Sequence, residues 1–199
     1  MRIAFLFPGQ GAQFIGMGKD ICEKYEEANK IYEEAGKILG IDIKHMCFEG
    51  TEEELNKTQN TQIGIAVTSL AILEVLKSRG INAQISVGLS LGEYVALIYS
   101  GYISFEEGIK LLQKRGYYMG NYLPEGNFEM AAVIGLESSK IEEVCYKVRL
   151  NGKFVVPANY NYSDQTVISG EAEGIEEAIK ELTNLNAKRV IKQSRRDPK

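Results

Sequence analysis

Cysteine is scarce in this chain and spaced for neither bonding nor metal: Cys22, Cys47 and Cys145 are odd in number, far apart and outside any CxxC pattern. That spacing excludes a disulfide framework and a structural zinc site, and it fits a reducing compartment. Histidine is scarcer still, with His45 alone, and no cluster of His, Cys and carboxylates has ligand spacing, so no metal is expected. The dinucleotide fingerprint GxGxxG is absent, which leaves no cofactor implied. An excess of positive charge is missing too: 23 Lys and Arg against 27 Asp and Glu give a net charge of -4, which argues against a general nucleic-acid binder. The start, Met1-Arg2-Ile3-Ala4-Phe5, lacks the long apolar core of a signal peptide, so a cytoplasmic location with no membrane partner is expected. Internal repeats and low-complexity segments are likewise absent.

What is present suffices for folding. At 199 residues and 44% apolar, the chain can bury the core of one large or two small domains. Up to about residue 123, strands alternate with helices: Ile3 to Phe7 reads as extended, Lys19 to Leu39 as one helix, and Thr61 to Lys77 as a second, amphipathic helix. Such alternation implies a parallel, helix-covered sheet. Thr51 to Glu54 and Ser104 to Glu107 match capping boxes, so helices are expected to begin there. After Pro124-Glu125-Gly126 the pattern changes. Residues 127–192 read as a compact βαββαβ unit of ferredoxin-like order, and 193–199 as an atypical polar tail.

The richest local signal is Gly88-Leu89-Ser90-Leu91-Gly92, placed where the apolar residues Ile85 and Val87 meet a helix-forming run from Glu93 to Tyr99. Strand, sharp turn and helix with serine at the apex describe a nucleophile elbow. Small residues on either side let the backbone bend, so the hydroxyl stands out of the turn while the helix start offers free N–H groups nearby. The same five residues also read as a plain strand-to-helix turn whose serine caps the helix. Gly9-Gln10-Gly11 reads equally as a turn after the first strand. On the helix from Phe105 to Gly120, Arg115 lies beside the stripe Phe105, Ile109, Leu112, Gly116 and Met119; by spacing alone it is a snorkelling arginine or an anion clamp.

Four segments occur together: Phe7-Pro8-Gly9-Gln10-Gly11-Ala12-Gln13, the elbow with Glu93-Tyr94, Arg115-Gly116 with Met119, and Val156-Pro157-Ala158-Asn159-Tyr160-Asn161. In their order and spacing they resemble the malonyl-CoA:acyl-carrier-protein transacylase family over nearly the whole chain. The resemblance implies an α/β fold: an α/β-hydrolase-like parallel-sheet subdomain, here residues 1–123, with an inserted ferredoxin-like small subdomain. It implies that Ser90 is the nucleophile, taking malonyl from the coenzyme A thioester and passing it to the pantetheine thiol of acyl carrier protein in fatty-acid biosynthesis. It further implies that the backbone N–H groups of Gln10 and Leu91 form the oxyanion hole, that Arg115 binds the free malonyl carboxylate, and that Met119, Asn159 and Asn161 belong to the pocket. The implied partners are malonyl-CoA and acyl carrier protein, with coenzyme A entering only as the substrate's carrier.

The sequence departs from that family in three places. Leu89 stands where the commonest elbow has histidine, and Ser163-Asp164 where Pro-Gly usually follows the Asn-x-Asn segment. The third departure concerns the general base, a histidine that in the family follows a strand like Ala187-Lys188-Arg189-Val190-Ile191. Here no histidine follows His45, which reads as a surface or loop residue. A serine without its base is a weak nucleophile near neutral pH, so this chain alone is expected to be inactive or only weakly catalytic. The polypeptide that completes the larger subdomain is expected to be missing, leaving apolar sheet surface uncovered. A serine hydrolase and a non-catalytic acyl-CoA or carrier-protein binding fragment remain the alternatives.

Overall fold

The short apolar run Ala4-Phe5-Leu6-Phe7 forms strand β1 (Ala4–Phe7), which pairs in parallel with β2 (Ile85–Gly88), Ala4 opposite Ile85 and Phe7 opposite Gly88. The structure is a computed structural model that describes residues 2–122 and 127–193. Parallel pairing demands a long crossover, and five helices lie between the two strands. They are α1 (Lys19–Lys24), α2 (Glu26–Leu39), α3 (Ile43–Phe48), α4 (Glu52–Asn56) and α5 (Thr58–Ser78). Helix α6 (Gly92–Tyr99) follows β2 and packs on both strands, and α7 (Phe105–Asn121) completes this first unit. Phe5 meets the Tyr99 ring edge-on at 5.2 Å between centroids, and the Tyr99 hydroxyl bonds both N–H and C=O of Ala83. The opposite sheet face carries Leu6, Ile85 and Val87, 76%, 61% and 54% exposed, and among the described residues nothing covers it. Parallel sheets ordinarily bury both faces, so this surface matches the expected uncovered apolar area.

Two helical expectations need correction. The run from Lys19 to Leu39 is two helices, because Tyr25 adopts an extended conformation (φ -134°, ψ 114°) between α1 and α2, where its ring receives the Arg79 guanidinium at 4.3 Å. Helix α5 is buried on every side through Thr61–Val67 rather than amphipathic. It packs against α2, α4 and α7, which leaves it no solvent face there. By length and composition alone α5 would span a membrane, yet most of it lies inside the unit. Its approach to α7 is close: a Cβ at Gly116 would stand 2.6 Å from Gln59 Cα.

Helix α7 starts on a full capping box. Ser104 Oγ accepts from Glu107 N–H at 3.2 Å, and the Glu107 carboxylate accepts from Ser104 N–H at 3.1 Å. At Thr51 only the first half forms, with Oγ1 accepting from Glu54 N–H. Ser104→Ala is therefore expected to lower stability by about 1 kcal/mol, measured as a shift in the urea midpoint with unchanged slope.

The second unit runs β3 (Phe128–Ile134), α8 (Ser138–Leu150), β4 (Val155–Tyr162), β5 (Gln165–Glu171), α9 (Ala172–Asn184) and β6 (Arg189–Gln193). The strands make one antiparallel sheet in the order β4-β5-β3-β6. Val133, Ile141, Val148, Ile168, Ile175 and Leu182 fill the core between sheet and helices. Pro157 sits in the edge strand β4, where a missing N–H costs no ladder bond, and the register shifts just after it. Gln193 still belongs to β6, so the expected polar tail begins no earlier than 194. Residues 194–199, and the expected boundary at Pro124-Glu125-Gly126, lie outside the described residues.

Candidate active site

The turn between β2 and α6 is tight for reasons visible atom by atom. Leu89 N–H donates to Phe7 C=O at 3.0 Å, continuing the parallel ladder one residue past β2, and Gly92 N–H donates back to Leu89 C=O at 2.9 Å. Ser90, at the apex, has φ +55°, left-handed backbone that costs an L-residue about 1–2 kcal/mol. A Cβ on Gly88 would overlap the carbonyl carbon of Gly92, and one on Gly92 would enter the carbonyl oxygen of Phe7. Both flanking glycines are thus required by backbone-on-backbone contact. Ser90 is exposed, whereas Leu91 is fully buried and anchors the turn from below.

Unpartnered backbone donors lie in the two segments that meet at this turn. Helix α6 begins here, and the Leu91 amide has no hydrogen-bond partner among the described residues. The loop after β1 lies against the elbow: a Cβ on Gly9 would sit 3.1 Å from the Leu89 carbonyl oxygen. Gln10 follows in that loop, exposed, and its own amide is also without a partner among the described residues. The loop is tied down further along, where Gly11 N–H donates to Gln13 Oε1 and Gln13 Nε2 to Asn56 Oδ1, both at 2.8 Å.

Arg115 reaches the elbow from α7. Its Nη2 donates to Ser90 Oγ at 3.0 Å, its Nη1 donates to Gln62 Oε1 at 2.6 Å, and its guanidinium carbon stands 5.9 Å from the centre of the Tyr94 ring. The guanidinium is therefore engaged within the unit, and the snorkelling alternative does not describe it. Met119 is 44% exposed, so the α7 stripe is buried at Ile109 and Leu112 but opens toward this site. Its Sδ accepts from Gln62 Nε2 at 3.4 Å.

Gln62 was not among the expected site residues. It sits inside Gln62-Ile63-Gly64-Ile65-Ala66-Val67, and the only sequence hint is an amide within an apolar run. A fully buried side chain of that kind requires partners, and here both of its ends have them.

The remaining candidates fall elsewhere. Asn159 and Asn161 are exposed residues of β4 in the second unit, where Asn161 Nδ2 donates to Gln165 Oε1 at 3.1 Å. His45 is exposed on α3, its Nδ1 4.0 Å from the Glu49 carboxylate, and it is not a partner of Ser90. Among the described residues no cluster of His, Cys, Asp and Glu is arranged to hold a metal ion. The cysteines are poor nucleophiles, since burial pushes the Cys47 thiol up to about 12 and the Cys145 thiol up to about 11. A 440 Å³ apolar groove runs beside β1 between Phe14, Ile65, Ile72 and Leu76, but neither Ser90 nor Arg115 lines it.

Known proteins resemble this chain in sequence and in overall shape. The profile of the acyl transferase domain matches residues 4–195. The malonyl CoA-acyl carrier protein transacylase of Bacillus subtilis is 42% identical over 190 residues, 96% of this chain and 60% of that protein. The corresponding protein of Staphylococcus aureus strain MSSA476 is 38% identical over 190 residues, again 96% of this chain and 61% of the relative. Among solved structures, the malonyl CoA-acyl carrier protein transacylase of Clostridium perfringens superimposes with a TM-score of 0.90 at 41% identity, over 100% of this chain and 62% of that one. A malonyl-transacylase solved in complex with its type II PKS acyl-carrier protein gives 0.86 at 37% identity, over 98% and 63%. The chain thus spans about 60% of the length of the curated relatives it matches.

Proposed function

This chain belongs to the acyl transferase domain family, and on that footing we propose that it carries the nucleophile and acid-recognition half of a malonyl-CoA:acyl-carrier-protein transacylase. The observation that carries the reading is the 3.0 Å contact between Arg115 Nη2 and Ser90 Oγ. An acyl group esterified to Oγ has its carbonyl carbon one bond from that oxygen. A cation so close to Oγ reaches a carboxylate only if the acyl chain is short, as in malonyl, where one methylene separates the two carbons. Arginine presents two parallel donors to such a carboxylate.

In the reaction, Ser90 Oγ attacks the thioester carbonyl and the negative charge moves to the carbonyl oxygen. The amides of Leu91 and Gln10 receive it, each such donor being worth about 2.7–4 kcal/mol of barrier. Collapse expels the coenzyme A thiolate, and the serine's proton leaves with it in net terms, giving malonyl-serine. The pantetheine thiol of acyl carrier protein then attacks the ester and regenerates the hydroxyl. Malonyl-CoA and acyl carrier protein are accordingly the partners, with no cofactor. The larger unit is read as α/β-hydrolase-like, the smaller as a ferredoxin-like insertion, with Met119, Asn159 and Asn161 as pocket residues.

Ser90 bonds to Arg115 and His45 is not its partner, which favours absent or slow turnover by this chain alone and keeps a binding-fragment reading beside the enzyme. Intact-mass measurement after incubation with malonyl-CoA, then with pantetheinylated carrier protein, separates the outcomes. A single malonyl adduct on Ser90 that passes to the carrier supports transfer. Stoichiometric binding without an adduct supports the fragment reading, and release of free malonate alone supports a hydrolase. Arg115→Ala is expected to lower the preference for malonyl-CoA over acetyl-CoA by about 10- to 100-fold, as the loss of a charge-assisted pair predicts. An unchanged preference in that variant refutes the clamp.

A further inference from the structure

Resting on the reading of Ser90 and Arg115 above, we infer that Gln62 is the positioning residue that holds the Arg115 guanidinium at the nucleophile and so sets the preference for acidic over neutral acyl groups. Gln62 is fully buried in the most enclosed helix of the unit, where an amide is tolerated only if its polar atoms are satisfied. Its orientation is fixed by chemistry. A guanidinium has donors only, so the atom facing Nη1 at 2.6 Å must be Oε1, and Nε2 is left for Met119 Sδ.

The backbone arranges this meeting. Gly116 lets α7 approach α5 at Gln59, and Gln62 lies three residues further along α5, on the same helix face, beside Arg115. Held from behind through Nη1, the guanidinium keeps Nη2 directed at Ser90. Without that anchor the long side chain regains rotamer freedom and a path to solvent.

A glutamine does this in a way that a glutamate would not. The amide oxygen orients the guanidinium yet leaves its positive charge uncompensated, available for an incoming carboxylate. A carboxylate at position 62 would form the bidentate pair itself and occupy the cation. Methionine, apolar and of the same length, would fill the space without accepting a hydrogen bond.

The test compares the whole chain with Gln62→Met, Gln62→Glu and Arg115→Ala, titrating each calorimetrically with malonyl-CoA and with acetyl-CoA and following thermal unfolding by circular dichroism. The ratio of the two dissociation constants is the readout, since a purely structural role would weaken both ligands alike. Gln62→Met is expected to reduce the malonyl preference about tenfold, and Gln62→Glu to bring it near one. A wild-type ratio kept in Gln62→Met overturns the inference, because a space-filling role alone would give that result. Preference lost in Arg115→Ala but kept in both Gln62 variants overturns the role of Gln62 and leaves that of Arg115 standing. No preference in the wild-type chain overturns the assignment of Arg115 and this inference with it. Gln62→Met suits the apolar interior of α5, so it decides the matter even where Gln62→Glu fails to fold.

Discussion

Replacing Ser90 by alanine is expected to abolish every covalent acyl adduct, and replacing it by glycine is expected to do the same while making the protein more stable than the alanine variant. Where a complete triad exists, loss of the nucleophile costs on the order of 10⁶ in rate. The stability difference has a separate origin. Ser90 is held at φ +55°, where glycine escapes a penalty of about 1–2 kcal/mol that alanine and serine share. The greater chain entropy of unfolded glycine takes back about 0.5–1 kcal/mol, so a net gain of up to about 1.5 kcal/mol is expected. Both variants lose the bond from Arg115 Nη2, so that contribution cancels in the comparison. Intact mass reads the adduct and the thermal midpoint reads the strain. A glycine variant less stable than the alanine variant by about 0.5–1 kcal/mol would show that the apex is unstrained.

The largest effect on folding is expected at Gly88. Alanine there drives a methyl group into the backbone of Gly92 and the amide of Glu93, and neither can yield without opening the turn. A loss of roughly 3–5 kcal/mol follows, at the upper end of what a single substitution does. The matched control is Gly120→Ala near the end of α7, where only Thr58 Cβ, at 3.9 Å, comes within reach of the new methyl. There the ordinary helix preference applies, and a gain of about 0.5–1 kcal/mol is expected. Denaturant melts of the two variants should therefore move in opposite directions. A Gly88→Ala protein that melts like the wild type would remove the backbone-contact explanation of the glycine pattern.

The parts legible from the sequence are those in which cause and effect lie within a few residues. Gly88 reports a contact four residues away, with the backbone of Gly92, and the Ser104 capping box closes within a single turn. Arg115 was legible as a cation beside an apolar stripe, though not as a partner of Ser90, 25 residues distant. Gln62 was illegible because its role depends on how near α7 comes to α5, and that is set by Gly116 against Gln59. The periodic apolar pattern from Lys19 to Leu39 concealed the break at Tyr25, since one extended residue leaves the pattern on both sides intact. Helix α5 reads as amphipathic in sequence because Thr61 and Gln62 are polar, yet both are buried, with Thr61 Oγ1 bonded to Leu55 C=O at 2.6 Å. Polar side chains satisfied inside a core look, in one dimension, like a wet face.

The left-handed apex also limits which nucleophile chemistry this scaffold admits. A branch at Cβ is strongly disfavoured at φ +55°, so threonine would carry a hydroxyl into the turn only by distorting it. Cysteine, unbranched and of similar size, fits the same backbone, and its thiolate would need less help from a base than an alcohol does. The turn between β2 and α6 therefore acts as a filter on side-chain shape before any question of reactivity arises. It leaves serine and thiol chemistry open at position 90 and closes the route through a secondary alcohol.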